Sequence, residues 1–263
     1  MENQFAIMGD GCRIAWRFDG PDDAPVLLLS NSLGTDLSMW EPQLARWSRS
    51  YRVLRYDQRG HGASDAPGGG YSMDRLGCDV IELLDRIGLD AVHFCGLSLG
   101  GMVGQWLGIR APQRLRRLIL ANTSSYMGPP SAWNSRISQV QAEGMAAVVE
   151  PSIGRWFTPG FLRTATEQVG RVSGILRKMK PVGYLGCCAA IRDMDMRRTA
   201  TLISGPVLVI AGSQDSATPV EHSEHIVQSI VGATLEVTEA AHMANVELPE
   251  RFGQLVGDFL NVA

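Results

Sequence analysis

Ser98 stands between two glycines, Gly96 and Gly100, in the stretch HFCGLSLGGM that occupies residues 93–102. An apolar run of strand type precedes it, and a segment of helical period opens directly after it. A chain that passes from strand to helix through one residue bends so tightly that side chains flanking the bend would collide with backbone. Glycine at both flanks removes that conflict. The motif therefore constrains the fold first, because it demands a strand, a sharp turn and a helix in immediate succession. A serine hydroxyl alone is a weak nucleophile, so whether the bend carries chemistry depends on what the rest of the chain supplies.

The surrounding sequence alternates in the same way. Strand-type runs occur at 13–18, 26–30, 51–56, 91–95, 116–121, 206–212 and 233–238,. Helix-period segments lie between the later ones, at 73–88, 99–112, 219–231 and 248–262,. In the first of these, Leu76, Val80, Leu83, Leu84 and Ile87 fall on one face, and Gly88 suits the stop,. Strands alternating with helices of this length predict an α/β fold with a mostly parallel central sheet flanked by helices. From 122 to 203 the alternation fails. That stretch has helix-like pieces punctuated by Pro129–Pro130, Pro151, Pro159 and Pro181, and is rich in Met, Trp and Arg. It reads as a helical cap insertion, with 1–121 and 204–263 forming the core. The alternative is a core continued by longer helices.

At 263 residues with 45% hydrophobic content, the chain can build one such core,. A net charge of −3 without runs of one sign gives no footprint for nucleic acid,. The N-terminal MENQFAIMGDGCRIAW lacks a basic segment followed by an apolar one, and the longest apolar runs are strand-sized,. A cytoplasmic protein without a membrane partner is expected, and a homo-oligomer stays open. Cys12, Cys78, Cys95, Cys187 and Cys188 show neither CxxC nor metal-ligand spacing, so no metal or cofactor is implied,. Cys95, in a predicted buried strand, is read as inert.

A nucleophilic serine needs a base, a group to orient that base, and donors for an oxyanion. Five histidines are available. His93 falls within a strand, His222 and His225 ride on a helix with solvated positions expected, and His61 occupies a glycine-flanked loop where bracing is the expected role. His242 lies between the last strand and the last helix, free to lean over neighbouring strand ends, and is the expected general base. Asp215, just after the penultimate strand, is the candidate orienting carboxylate. Its rivals are Asp57, Asp193 and Asp195, and its alternative role is a turn or helix cap. The order Ser98, Asp215, His242 matches that of nucleophile-elbow hydrolases. The backbone N–H groups of Leu99, at a helix start, and Leu33, in the loop after the 26–30 strand, are the oxyanion candidates.

Taken together, YDQRGHGASD, GLSLGGMVGQWLGIRAPQRLRRLILANTS and AAHMANVELPERFGQLVGDFL resemble the α/β-hydrolase superfamily over essentially the whole chain, and within it the 3-oxoadipate enol-lactonases. The resemblance implies an α/β-hydrolase fold and a triad on Ser98, Asp215 and His242. It also implies cofactor-free hydrolysis of the enol-lactone of 3-oxoadipate in the β-ketoadipate pathway of aromatic-compound breakdown. Many superfamily members read His-Gly where this chain has Asn31-Ser32. The implied substrate carries a carboxylate, which calls for a cation inside an apolar pocket. Trp133 and Arg136, on one face of a predicted helix at the start of the cap, are candidates for contacting it. Their alternative roles are a packing tryptophan and an exposed arginine. Rival activities on this scaffold are a carboxylesterase, a carbon–carbon bond hydrolase and a haloperoxidase-like enzyme. A non-catalytic ligand receptor is the rival of another class.

Overall fold

The computed structural model describes residues 3–261, so position 262 of the last predicted helix and the extreme ends of the predicted core lie outside the described residues. The strand-type runs form one sheet of eight strands. They are β1 (Gln4–Ile7), β2 (Arg13–Asp19), β3 (Val26–Ser30), β4 (Arg52–Tyr56), β5 (Val92–Leu97), β6 (Leu115–Ala121), β7 (Val207–Gly212) and β8 (Thr234–Thr238). Their order is β1-β2-β4-β3-β5-β6-β7-β8, antiparallel through β1, β2 and β4 and parallel elsewhere. Seven of the eight follow the predicted runs; β1 was not predicted. It is a short edge strand with Phe5 and Ile7 exposed, so it lacks the pattern of a half-buried strand, and its pairing with β2 holds it in place,.

The helices are α1 (Glu41–Trp47), α2 (Met73–Arg86), α3 (Leu99–Arg110), α4 (Pro130–Glu143), α5 (Ala146–Trp156), α6 (Pro159–Thr164), α7 (Thr166–Lys178), α8 (Pro181–Asp193), α9 (Val220–Ser229), α10 (Ala244–Glu247) and α11 (Pro249–Asn261). Ser72 caps α2 by accepting the Arg75 N–H at 3.1 Å, and Leu76, Val80, Leu83 and Leu84 are its buried stripe,. Helix α3 has no such stripe. It is buried from Leu99 to Gly108, covered by the sheet on one side and by other elements on the rest,. Helix α1 escaped the sequence reading because it is short, with only Gln43 and Trp47 buried; Trp47 and the preceding Trp40 pack with Phe252 of α11 rather than forming a periodic face. The long segment between β6 and β7 holds α4 to α8 and no strand.

The strand order creates the place for a site. From β3 the chain crosses to β4 on one side, while from β5 it crosses through α3 to β6 on the other. The loops leaving the carboxyl ends of the adjacent strands β3 and β5 therefore diverge and leave a crevice at this switch point. The Leu33 loop leaves one of these strands and Ser98 leaves the other. No helix of the described residues is long and apolar enough to cross a membrane.

Candidate active site

Ser98 has φ 57° and ψ −115°, a left-handed conformation that costs a non-glycine residue on the order of 1–3 kcal/mol,. Its N–H donates to Ala121 O at 2.9 Å, and its carbonyl accepts from Met102 N–H at 3.0 Å and Thr123 Oγ1 at 2.7 Å, so strand β6 and helix α3 hold the bend from both sides. The flanking glycines have a steric reason. A Cβ on Gly96 would lie 2.2 Å from Gly100 O, and one on Gly100 would lie 2.0 Å from Ser30 O. Leu99 is the first residue of α3, where helix geometry leaves its N–H without an intrahelical acceptor and where the dipole favours negative charge,.

Asp215 and His242, 27 residues apart, meet at 2.8 Å through Oδ2 and Nδ1. The imidazole nitrogen is also 3.3 Å from Thr218 Oγ1. Asp215 Oδ2 further accepts from Thr218 Oγ1 at 2.7 Å and Asn122 Nδ2 at 3.1 Å, while Oδ1 accepts the N–H groups of Ala217 and Thr218 at 2.8 and 2.9 Å. Burial would raise the pKa of this carboxyl. The attraction of His242 and these hydrogen bonds outweigh it and hold the pKa at about 2,. Because the carboxylate is an acceptor, it fixes the proton on Nδ1 and leaves Nε2 of His242 as the free base position.

Several residues of this arrangement lay outside the sequence reading. Asn122, in the left-handed region at φ 44°, also donates to Ala241 O at 3.2 Å and so ties the end of β6 to both the Asp215 and His242 loops. Glu247 accepts the Ala241 N–H at 3.0 Å and binds Thr158 through its N–H and hydroxyl, linking the His242 loop to the start of α6. The available signal for Asn122 was its place directly after a strand, since asparagine tolerates a left-handed backbone. Thr218 and Glu247 gave no comparable local signal.

The Leu33 loop is held on both sides of Leu33. Ser32 N–H points to Met39 Sδ at 3.3 Å, and Gly34 N–H donates to His61 Nε2 at 3.0 Å. Asn31, in place of the histidine common at this point, is pinned by Trp40 Nε1 and by Tyr56 O, both at 2.9 Å. Burial pushes His61 down to about 4, so its imidazole is neutral, and since Nε2 accepts, its proton is on Nδ1, 3.3 Å from Arg59 O,.

Ser98, His242, Ser32, Leu33 and Thr218 line one cavity of about 50 Å³ whose other walls include Met102, Trp133, Arg136, Trp156 and Tyr184. Ser98 and His242 thus share a cavity, without a hydrogen bond between their side chains among the described residues; such bonds are often long before substrate binds. Trp133 is buried and donates from Nε1 to Met127 O at 2.8 Å. Arg136, three residues on in α4, is half-buried rather than exposed. It stands 5.6 Å from the Trp133 ring centroid and 5.8 Å from that of Tyr184, donates to Ser152 Oγ at 2.7 Å, and pairs with no carboxylate among the described residues.

The rival groups lie elsewhere. Asp57 accepts the N–H groups of Leu37 and Ala63, at 2.7 and 2.8 Å, while Asp193 and Asp195 pair with Arg192 and Arg197. His93 meets Tyr51 edge-on. His225 is exposed, but His222 is half-buried rather than solvated. Cys95 is fully buried, which pushes its thiol pKa up. Among the described residues no three His, Cys, Asp or Glu side chains gather as metal ligands.

Residues 25–166 match a family model described as alpha/beta hydrolase fold. The chain is 45% identical over 237 residues to 3-oxoadipate enol-lactonase 2 of Acinetobacter baylyi, an alignment covering 90% of this chain and 89% of that protein. A crystal structure of a hydrolase from Pseudomonas aeruginosa PA01 superposes with a TM-score of 0.97 at 46% identity, covering 99% of each chain. The enol-lactonase from Burkholderia xenovorans LB400 superposes with a TM-score of 0.96 at 38% identity, covering 98% of this chain and 100% of that one. With its sheet and its loops matched over nearly their whole length by these proteins, the chain belongs to the alpha/beta hydrolase family.

Proposed function

We propose that the protein hydrolyses the enol-lactone of 3-oxoadipate by an acyl-enzyme route, as a cytoplasmic step in the breakdown of aromatic compounds. The observation that carries this reading is the cavity itself. It joins a strained serine and a carboxylate-held imidazole to a guanidinium that has no acidic partner among the described residues. The similarity to proteins named enol-lactonases supports the choice of substrate.

In this reading Ser98 Oγ attacks the lactone carbonyl while His242 Nε2 takes its proton. The tetrahedral oxyanion lies between the N–H groups of Leu33 and Leu99, and Asp215 stabilises the imidazolium. Collapse breaks the ring C–O bond, the His242 imidazolium returns its proton to the leaving oxygen, and the acyl-enzyme forms with a free enol, which tautomerises to the ketone. An enol is a better leaving group than an alkoxide, so expulsion needs little acid help. Water activated by His242 then releases 3-oxoadipate and restores Ser98. No step uses a cofactor.

Residues 122–203 serve as the cap. Arg136 pairs with the substrate carboxylate over the face of Trp133, a strong charge-assisted contact in an apolar setting. The cavity of about 50 Å³ is far below the ~300 Å³ of an ordinary ligand pocket, so cap side chains shift when the lactone binds,.

Turnover of the enol-lactone, set beside neutral aryl esters, tests the reading. Arg136→Ala should lower kcat/KM for the lactone by roughly 10- to 100-fold, from the ~1.5–3 kcal/mol of a charged hydrogen bond, and leave neutral esters unchanged. Equal losses on both substrates would remove Arg136 from recognition, and aryl-ester turnover without lactone turnover would favour a carboxylesterase.

A further inference from the structure

An oxyanion donor works only if its peptide plane is fixed before the reaction, and the Leu33 loop has no regular secondary structure to fix it,. The carbonyl of that peptide, Ser32 O, accepts from Thr35 Oγ1 at 2.8 Å and from Thr35 N–H at 3.3 Å within the loop, and the next peptide is held from a distant loop. Gly34 N–H, buried and one residue past Leu33, has His61 Nε2 as its acceptor. The imidazole is 1% exposed and does not line the cavity. Its own orientation is set from the far side, where Nδ1 faces the Arg59 carbonyl. Arg59 is in turn clamped by both oxygens of Asp79, at 2.5 and 2.6 Å, and by Asp10 at 2.8 Å. The loop carrying His61 is also locked to the cap, since Gly60 and Gly183 of α8 touch backbone to backbone with no room for a Cβ on either.

We propose that His61 is a positioning residue for catalysis, a neutral imidazole that accepts the Gly34 N–H and thereby keeps the neighbouring Leu33 N–H aimed at the developing oxyanion. The inference rests on the hydrolase mechanism above but not on the identity of the lactone. An imidazole suits the position because it brings one acceptor and one donor to two fixed backbone groups without burying a charge. A hydrocarbon of similar size would fill the space and leave the Gly34 N–H unpaired. A glutamine would return an acceptor oxygen near the Nε2 position.

The test compares wild type, His61→Leu and His61→Gln on the enol-lactone and on p-nitrophenyl acetate. His61→Leu should lose roughly 10- to 100-fold in kcat with little change in KM, a share of the 10²–10³ that one oxyanion donor is worth, and His61→Gln should recover most of the loss. Nitrogen-15 NMR of the wild type should find His61 as the Nδ1–H tautomer, with Nε2 unprotonated. Unchanged kcat in His61→Leu, equal losses in both variants, a loss confined to KM, or an Nε2–H tautomer would each overturn the proposal. If His61→Leu does not fold, the tautomer and the glutamine variant decide. A wild type that cleaves only the aryl ester removes the substrate assignment and leaves this comparison intact.

Discussion

Replacing Asp215 by asparagine keeps the shape of the side chain and exchanges one acceptor oxygen for an NH₂ donor. Five donors face the carboxylate: two rigid backbone N–H groups on Oδ1, and His242, Thr218 and Asn122 side chains on Oδ2. The NH₂ must confront one set or the other, at about 1–3 kcal/mol for each donor left unpaired. The backbone pair cannot turn away. The Thr218 hydroxyl can rotate, and Asn122, whose Oδ1 has no partner among the described residues, can flip its amide at the cost of its bond to Ala241 O, so the NH₂ settles on the Oδ2 side, where only side chains must yield. His242 must then offer a lone pair at Nδ1, which moves its proton to Nε2 and removes the base. The expected loss is about 10⁴ in kcat, the size of the analogous change in a serine protease, or about 5 kcal/mol of barrier. KM should stay close to wild type because Asp215 does not line the cavity. Steady-state kinetics on the lactone, with circular dichroism to verify folding, gives the result. A fall of less than tenfold would refute the reasoning and show that another group, such as Thr218, fixes the tautomer.

Ser98→Gly should abolish turnover yet raise the unfolding free energy by about 1 kcal/mol, because relief of ~1–3 kcal/mol of backbone strain exceeds the ~0.5–1 kcal/mol entropic cost of glycine. A lower melting temperature than wild type would refute the strain assignment. His61 binds its proton at about 4 when folded against about 6.5 when unfolded, so the unfolded chain holds more protons between these values and acid removes stability,. In urea titrations the stability of wild type minus that of His61→Gln should be constant above about pH 6.5 and fall by about 3 kcal/mol as pH drops to 4. Asp57, raised by burial to about 6, titrates in the opposite sense in both proteins and cancels from the difference. A difference that does not change with pH would show that His61 is protonated alike in both states.

Much of the architecture is legible in the residues because its causes are local. Apolar runs and helical periods mark the parallel strands and their crossovers, and the paired glycines mark the bend at Ser98. The segment between β6 and β7 shows through its loss of alternation, and prolines open three of its five helices: Pro130, Pro159 and Pro181 stand at first positions, Pro151 lies inside α5, and α7 contains none. The exposed edge strand β1 and the tryptophan-anchored α1 were missed because pairing and packing with distant partners stabilise them, not a periodic pattern. His222 is half-buried rather than solvated, which the periodicity of its own short helix does not reveal.

What the amino-acid order determines by itself is therefore the set of candidate reactive groups and their positions at strand ends: Ser98 on a glycine-flanked bend, Asp215 and His242 in loops that follow strands. Only the folded sheet decides which of them touch. Asn122 reaches Asp215 across 93 residues, His61 reaches Gly34 across 27, and Glu247 reaches Thr158 across 89. The physical reason is one of range. Turn sterics and side-chain periodicity act over a few residues, whereas a hydrogen bond needs a partner within about 3 Å. Strand order and register alone bring such partners together from distant parts of the chain.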